Sequence, residues 1–162
     1  MKLLVNMLFV IFSLVMVVNA ANIDVNKKLS KLTESKHIMF FVHIPNCSYC
    51  KAMLDENLKN KEILDVINKN FVFINIYTKD EGIVSFKDFK GTYKEFSRYI
   101  GAVAYPATIF MDNSGKIIYR SIGYRNIKEQ IREIKYISSG SYKKISLETF
   151  IENLEMEEFD EE

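Results

Sequence analysis

Apolar side chains in this 162-residue chain fall into runs whose spacing alternates between that of strands and that of helices. His37 to Ile44 (His-Ile-Met-Phe-Phe-Val-His-Ile) is almost continuously apolar, the pattern of a strand buried on both faces of a sheet. Phe71 to Tyr77 and Tyr105 to Met111 predict two more strands, and Ile117 to Ile122 a fourth. Asp112-Asn113-Ser114-Gly115-Lys116 between the last two is a turn signal and predicts an antiparallel hairpin, which Gly123 ends. Helical spacing lies between the strands. Cys50, Met53, Leu54 and Leu58 make one stripe over 47–60, and Ile63, Leu64, Val66 and Ile67 continue over 62–68. Tyr93, Phe96, Tyr99 and Ile100 share one side of 92–100. Ile127, Ile131, Ile134 and Ile137 line a helix over 127–137 with Asn126 as its N-cap.

The ends and joints are less regular. Residues 22–36 suggest a short helix packed by its Leu29–Leu32 edge, and Ser146-Leu147-Glu148-Thr149 opens a last helix through Leu154. Residues 78–91 are polar, charged and glycine-containing, and read as a long connection with room for a turn of helix. Phe71, Phe73, Phe96, Tyr99 and Phe110 are expected in the core, and Tyr93, Tyr119, Tyr124 and Tyr136 half-buried. Alternating strands and helices imply an α/β layered domain, with the terminal hairpin as an antiparallel edge.

The first 20 residues change the picture of where the chain works. Lys2 supplies a positive n-region, Leu3 to Val18 is mostly apolar, and Val18-Asn19-Ala20 offers small residues for cleavage, so 1–20 reads as a secretory signal. The alternative is an uncleaved membrane anchor, although the run is short for a spanning helix. No cysteine follows the apolar run, so a lipid anchor is not indicated. Export places the remaining chain in a space that permits disulfides. Residues 21–147 form one domain. They carry 21 Lys and Arg against 13 Asp and Glu. Residues 148–162, the end of the last helix and an acidic tail, carry eight acidic residues and no basic ones. The tail reads as solvated and frayed. Scattered lysines on an exported body do not suggest nucleic-acid binding.

The chemistry concentrates in the chain's only two cysteines, in Pro45-Asn46-Cys47-Ser48-Tyr49-Cys50-Lys51, between a buried strand and a helix. A cysteine at a helix N-terminus is favoured as thiolate, the nucleophile of disulfide exchange, and one a helical turn on can close a short disulfide. Ser48 and Tyr49 are candidate tuning residues, since a Ser48 hydroxyl donating to the Cys47 sulfur favours the thiolate. Lys51 is read as a solvated helix lysine with a weaker electrostatic alternative. His43, four residues before Cys47, either neighbours the thiolate or sits satisfied at the strand end, and His37 reads as a surface residue at a strand start. Two cysteines and two histidines without a second close pair make a poor metal set, and no metal or cofactor is expected.

The combination of Cys47-Ser48-Tyr49-Cys50-Lys51 after a buried strand, Tyr105-Pro106-Ala107-Thr108 at the start of another and Gly123 closing the hairpin resembles the thioredoxin superfamily over 36–138. It is most similar to exported bacterial thioredoxin-like reductases, including the C-terminal domain of the membrane-linked DsbD family. The resemblance implies a three-layer fold, with a central mixed sheet of about four strands flanked by helices. It implies Cys47 as nucleophile, Cys50 as resolving thiol and Pro106 as a cis-proline beside the disulfide. Tyr105, before that proline, then offers its main chain to an extended substrate. Two departures stand out. Asn46 replaces the tryptophan common before the first cysteine, in a chain with no tryptophan at all, so the flat aromatic surface beside the nucleophile is either missing or supplied by Tyr49. Phe41 occupies the position, six residues before Cys47, where many relatives bury an acid. Resolution must then use water, another carboxylate or the partner's thiolate.

The resemblance implies an exported thiol–disulfide oxidoreductase, a monomer in the periplasm, that reduces protein disulfides and is recharged by a membrane thiol relay. A disulfide oxidase or isomerase is one alternative. A metal or haem-assembly chaperone using the two cysteines as ligands is another.

Overall fold

The computed structural model describes residues 21–33 and 36–160, so the secretory signal expected at 1–20 lies outside the described residues. Its strands and helices run β1 (Ile23–Asp24), α1 (Val25–Leu29), β2 (His37–His43), α2 (Ser48–Asp55), α3 (Lys61–Asn70), β3 (Phe71–Tyr77), β4 (Ile83–Phe86), β5 (Phe89–Thr92), α4 (Tyr93–Tyr99), β6 (Ala107–Met111), β7 (Ile117–Ile122), α5 (Ile127–Ser138) and α6 (Leu147–Asp160). The central sheet has four strands in the order β3-β2-β6-β7. β2 is parallel to β3 and antiparallel to β6, and β6 pairs antiparallel with β7. This is the mixed, helix-flanked sheet that the sequence implies.

The uninterrupted apolar run of β2 has a direct packing cause. Side chains alternate between sheet faces, so a strand covered on both sides must be apolar at every position. Ile38, Phe40 and Val42 face one layer with Ile74, Ile76, Ile109, Phe96 and Ile100. Met39 faces the other with Phe71 and Phe110, under Ile63 and Ile67 of α3 and Ile131, Ile134 and Ile137 of α5. Capping boxes start α4 at Thr92–Glu95 and α5 at Asn126–Glu129, each satisfying donors that a helix start leaves open.

Several expectations need correction. The stretch over 78–91 holds an antiparallel hairpin, β4–β5, with Val84 and Phe86 buried against the core. β1 pairs with β4 in parallel, making a second, three-stranded sheet. The two-residue turn at Lys87-Asp88 lacks the usual Asn-Gly signature; Lys87 takes a left-handed backbone (φ 50°), and its N–H is held by the Asn26 side chain. The helix over 47–60 ends at Asp55, with a 3₁₀ turn at Asn57–Lys59. There the buried Asn57 amide donates to the Arg125 carbonyl at 2.7 Å. β6 begins two residues later than expected, at Ala107. The last helix runs through Asp160 rather than stopping at Leu154, so the acidic stretch up to that residue continues it. Phe73 and Tyr99 stand exposed rather than in the core, while Tyr93 is buried.

His37 is buried, not a surface residue. Its ring packs on Phe71 and Tyr142, with Nε2 3.3 Å from the Tyr142 hydroxyl. Burial lowers its pKa, nearby Lys143 lowers it further, and Asp112 partly opposes them. On the far side of the sheet's hairpin, Glu133 of α5 is buried and accepts from Ser121 Oγ and Arg125 Nε, each at 2.8 Å. Burial and this carboxylate push the Tyr119 phenol up to about 12. Arg125 also donates to the Tyr124 carbonyl at 2.9 Å, so the network fastens the segment after β7 to α5.

A base held neutral by burial binds fewer protons folded than unfolded, so stability rises with pH across the window between the two pKa values. Thermal unfolding between pH 7 and pH 4.5 should therefore show stability falling below the ordinary imidazole value of about 6.5, with His37→Phe removing part of that slope. An unchanged slope in the variant contradicts the assignment. Glu133→Ala should destabilise the fold by about 3 kcal/mol, because it strands Ser121 and Arg125 without their acceptor; a loss below about 1 kcal/mol in urea unfolding would show the network to be dispensable.

Candidate functional site

The site forms where β2 ends. After His43 the chain turns through Ile44, Pro45 and Asn46, and Asn46 takes the left-handed backbone (φ 57°) that asparagine tolerates better than most residues. The turn delivers Cys47 as N-cap of α2, in extended conformation (φ −106°, ψ 103°). Cys47 and Cys50 are joined as a disulfide, with S–S 2.07 Å and Cα–Cα 5.2 Å. The Cys50 N–H donates to Cys47 Sγ at 3.1 Å, so this sulfur occupies the place of a capping oxygen. Negative charge developing there on reduction meets the open N–H groups and positive end of the helix.

The two sulfurs have unequal access. Cys50 is 2% exposed, whereas Cys47 is only half-buried. A partner can reach Cys47 while Cys50 stays shielded beneath it. Ser48 is exposed, and the hydrogen bond on the Cys47 sulfur comes from the Cys50 amide instead of the Ser48 hydroxyl. Lys51 pairs with Asp55 across one helical turn at the surface, in keeping with a solvated helix lysine. Asp55, also paired with Lys59, is held down at about 2.

Register brings in the remote half of the site. β6 runs antiparallel to β2, with Val42 opposite Ala107, so the start of β6 meets the end of β2. This places Pro106 beside the Cys47 turn despite its distance in sequence. The Tyr105–Pro106 bond is cis. Pro106 is buried, and its carbonyl accepts from the Gly123 N–H at 2.8 Å. The Tyr105 side chain turns toward α4, with its hydroxyl 3.3 Å from Ser97 Oγ.

The structure adds residues that local sequence did not single out. Tyr124, just after Gly123, has its ring 5.5 Å from that of Tyr49, and both rings are exposed (Tyr124 37%, Tyr49 64%). This pair forms an aromatic surface next to the cysteines in a chain without tryptophan. Tyr124 joins it only because β7 ends opposite Ala107, a long-range pairing with no local signature. A separate open groove of about 720 Å³ also borders both cysteines and is lined by His43, Asn46, Leu54, Asp55 and Tyr77 among others. His43 is stacked between Phe41 and Tyr77, with ring centroids at 5.6 and 4.7 Å. Burial lowers its pKa, partly opposed by a hydrogen bond with the Asn75 side chain and the charge of Asp80. Phe41 is fully buried, so no acid stands at that position. Among the described residues no group of three or more His, Cys, Asp and Glu side chains is arranged to hold a metal ion, and no helix is long and apolar enough to cross a membrane.

The architecture is similar to that of several solved structures. A thioredoxin-fold protein from Helicobacter pylori superimposes with a TM-score of 0.63 at 20% identity, covering 74% of this chain and 84% of that one. A putative disulphide-isomerase from Bacteroides thetaiotaomicron gives 0.54 at 20% identity, covering 72% and 90%. The oxidised DsbD C-terminal domain of Neisseria meningitidis gives 0.51 at 13% identity, covering 71% and 97%. At these identities the likeness is one of fold. No match was found among curated proteins. The family profile described as a thioredoxin-like domain matches residues 24–138, from β1 to the end of α5. With both cysteines and Pro106 inside that match, the chain belongs to the thioredoxin-like family.

Proposed function

We propose that this thioredoxin-like oxidoreductase works outside the cytoplasm as a monomer and reduces disulfides in protein substrates. The observation that carries the reading is the unequal exposure of a bonded cysteine pair at a helix start, with the outer sulfur at the N-cap. The apolar leader at 1–20, read as a secretory signal, supports work in the periplasm.

Catalysis starts from the dithiol. The Cys47 thiolate attacks one sulfur of a substrate disulfide, and the other substrate sulfur leaves as a thiolate and is protonated. Cys50 then attacks Cys47 Sγ, restores the Cys47–Cys50 bond and releases the second substrate sulfur. Two electrons pass to the substrate. A donor dithiol, for which a membrane thiol relay is the fitting class, returns them to the protein. Tyr105 and Pro106 offer the main chain along which an extended substrate segment lies, and the Tyr49–Tyr124 surface receives its side chains.

Reduced protein should cleave insulin disulfides, Cys47→Ser should abolish that activity, and Cys50→Ser should accumulate covalent adducts that mass spectrometry identifies. Retention of full activity by both variants refutes the reading. Stoichiometric metal on the purified protein, with no turnover, would favour a chaperone instead. Replacing Tyr49 and Tyr124 together by alanine should lower kcat/KM for a protein disulfide about fivefold, given roughly 1 kcal/mol for lost aromatic contact. Reaction with a small aliphatic disulfide should change less than twofold. Equal losses on both substrates would place the tyrosines in the chemistry rather than in recognition.

A further inference from the structure

Lysines that look scattered along the chain gather at one end of the fold. Strand pairing sets that end. His37 and Phe71, the first residues of β2 and β3, lie opposite each other, and Met111 at the end of β6 meets Ile38. Cys47 follows the other end of β2, roughly 20 Å away at about 3.3 Å per residue. The β6–β7 turn lies at the His37 end, and Leu29 of α1 with Phe86 and Lys87 of the β4–β5 hairpin close around its Gly115. Lys36 Nζ donates to the Asn68 carbonyl at 3.4 Å, which ties the end of α3 to the start of β2. Lys143 lies over the ring of Tyr142, which packs on His37. Lys27, Lys31, Lys69, Lys87, Lys116 and Lys143 therefore share one pole, and all six are exposed.

Their charge is left to the solvent. Lys51, Lys59, Lys61 and Lys135 are held by carboxylates elsewhere on the surface, whereas among the described residues none of the six forms an ion pair. Two acids at this end do local work instead. Asp24 caps α1 by accepting from the Lys27 N–H, and Asp112 accepts from the N–H groups of Ser114 and Lys116 in the hairpin turn. Asp88, beside Lys87, offsets one charge. The acidic last helix leads away from the pole, since α6 runs back along α5 with Glu155 bonded to Arg132 at 2.8 Å.

We propose that this lysine pole docks the domain on an anionic lipid surface, with Cys47 and the Tyr49–Tyr124 surface turned away from the bilayer. Lysine is a flexible point charge without the fork that grips a single phosphate, so amines spread over several elements suit a plane of many phosphates. Lysine is also depleted at interfaces between folded proteins. The leader expected at 1–20 carries the chain across a membrane, which puts a lipid surface at hand. Docking of this kind adds to the reductase reading and takes from it only the location outside the cytoplasm. It keeps the domain beside a membrane donor while leaving the outer sulfur open to soluble partners.

The test sediments the full chain with vesicles of phosphatidylcholine alone or mixed with an equal share of phosphatidylglycerol. The leader is common to every variant, so changes in the ratio of anionic to neutral binding read the pole. Combining Lys27→Gln, Lys31→Gln and Lys69→Gln should lower that ratio about 100-fold at low salt, at about fivefold for each lysine. Combining Lys61→Gln, Lys79→Gln and Lys94→Gln, an equal loss of charge away from the pole, should lower it less than threefold. Sodium chloride at about 1 M, where screening acts within about 3 Å, should abolish the preference for anionic vesicles. Inorganic phosphate should displace the protein no better than sodium chloride of equal ionic strength. On anionic vesicles, alkylation of reduced Cys47 by a soluble maleimide should keep its rate in solution. The proposal is overturned by equal losses in the two triple variants, by no preference for anionic vesicles in the unaltered protein, by selective displacement with phosphate or by protection of Cys47. Insulin reduction without vesicles reads the reductase function separately, so either reading can fall while the other stands.

Discussion

The antiparallel pairing of β6 with β2 is the constraint on which the site depends. It sets Val42 opposite Ala107, and everything beyond those residues meets at one end of the sheet. The turn after β2 supplies Cys47, the residues before β6 supply Pro106, and the end of β7 supplies Gly123 and Tyr124. A slip by one residue would turn Phe40 and Phe41 to the wrong layers and expose several buried aromatic and aliphatic side chains. Burial of β2 on both faces therefore protects the geometry of a site that lies at its rim.

The site combines a rigid base with graded access. Cys50 is covered while Cys47 is reachable, and one amide hydrogen bond ties the two together. Around them the two sides differ in character. On the Pro106 side the exposed rings of Tyr49 and Tyr124 suit contact with a polypeptide. On the other side an open groove is bordered by His43, whose ring is stacked on Phe41 and Tyr77. The buried Glu133 and its partners Ser121 and Arg125 secure the first side, since Arg125 holds the Tyr124 carbonyl and offers its own carbonyl to Asn57 below the active-site helix.

Much of this was readable locally. β3 and β7 begin and end where their apolar runs do, and Asn126 caps its helix, because these features depend on neighbours a few residues away. The β4–β5 hairpin escaped because its alternation is short and its turn carries Lys87-Asp88 in place of glycine; the buried positions of Val84 and Phe86 depend on a core contributed by distant elements. The early end of the active-site helix escaped for a similar reason, since Asn57 is drawn into the protein by a carbonyl 68 residues away. His37 looked like a polar strand end, but the segment after α5 covers it with Tyr142.

The sequence by itself determined the layered architecture, the identity of the reactive pair and the placing of Cys47 at a helix start, because hydrophobic period and cysteine spacing are local properties of the chain. Tertiary structure alone decided which sulfur a partner can reach, which tyrosine joins Tyr49 and what environment surrounds His43. Those depend on strand register and on the burial of groups far apart in sequence, and pairing across a sheet leaves no mark in the order of neighbouring residues.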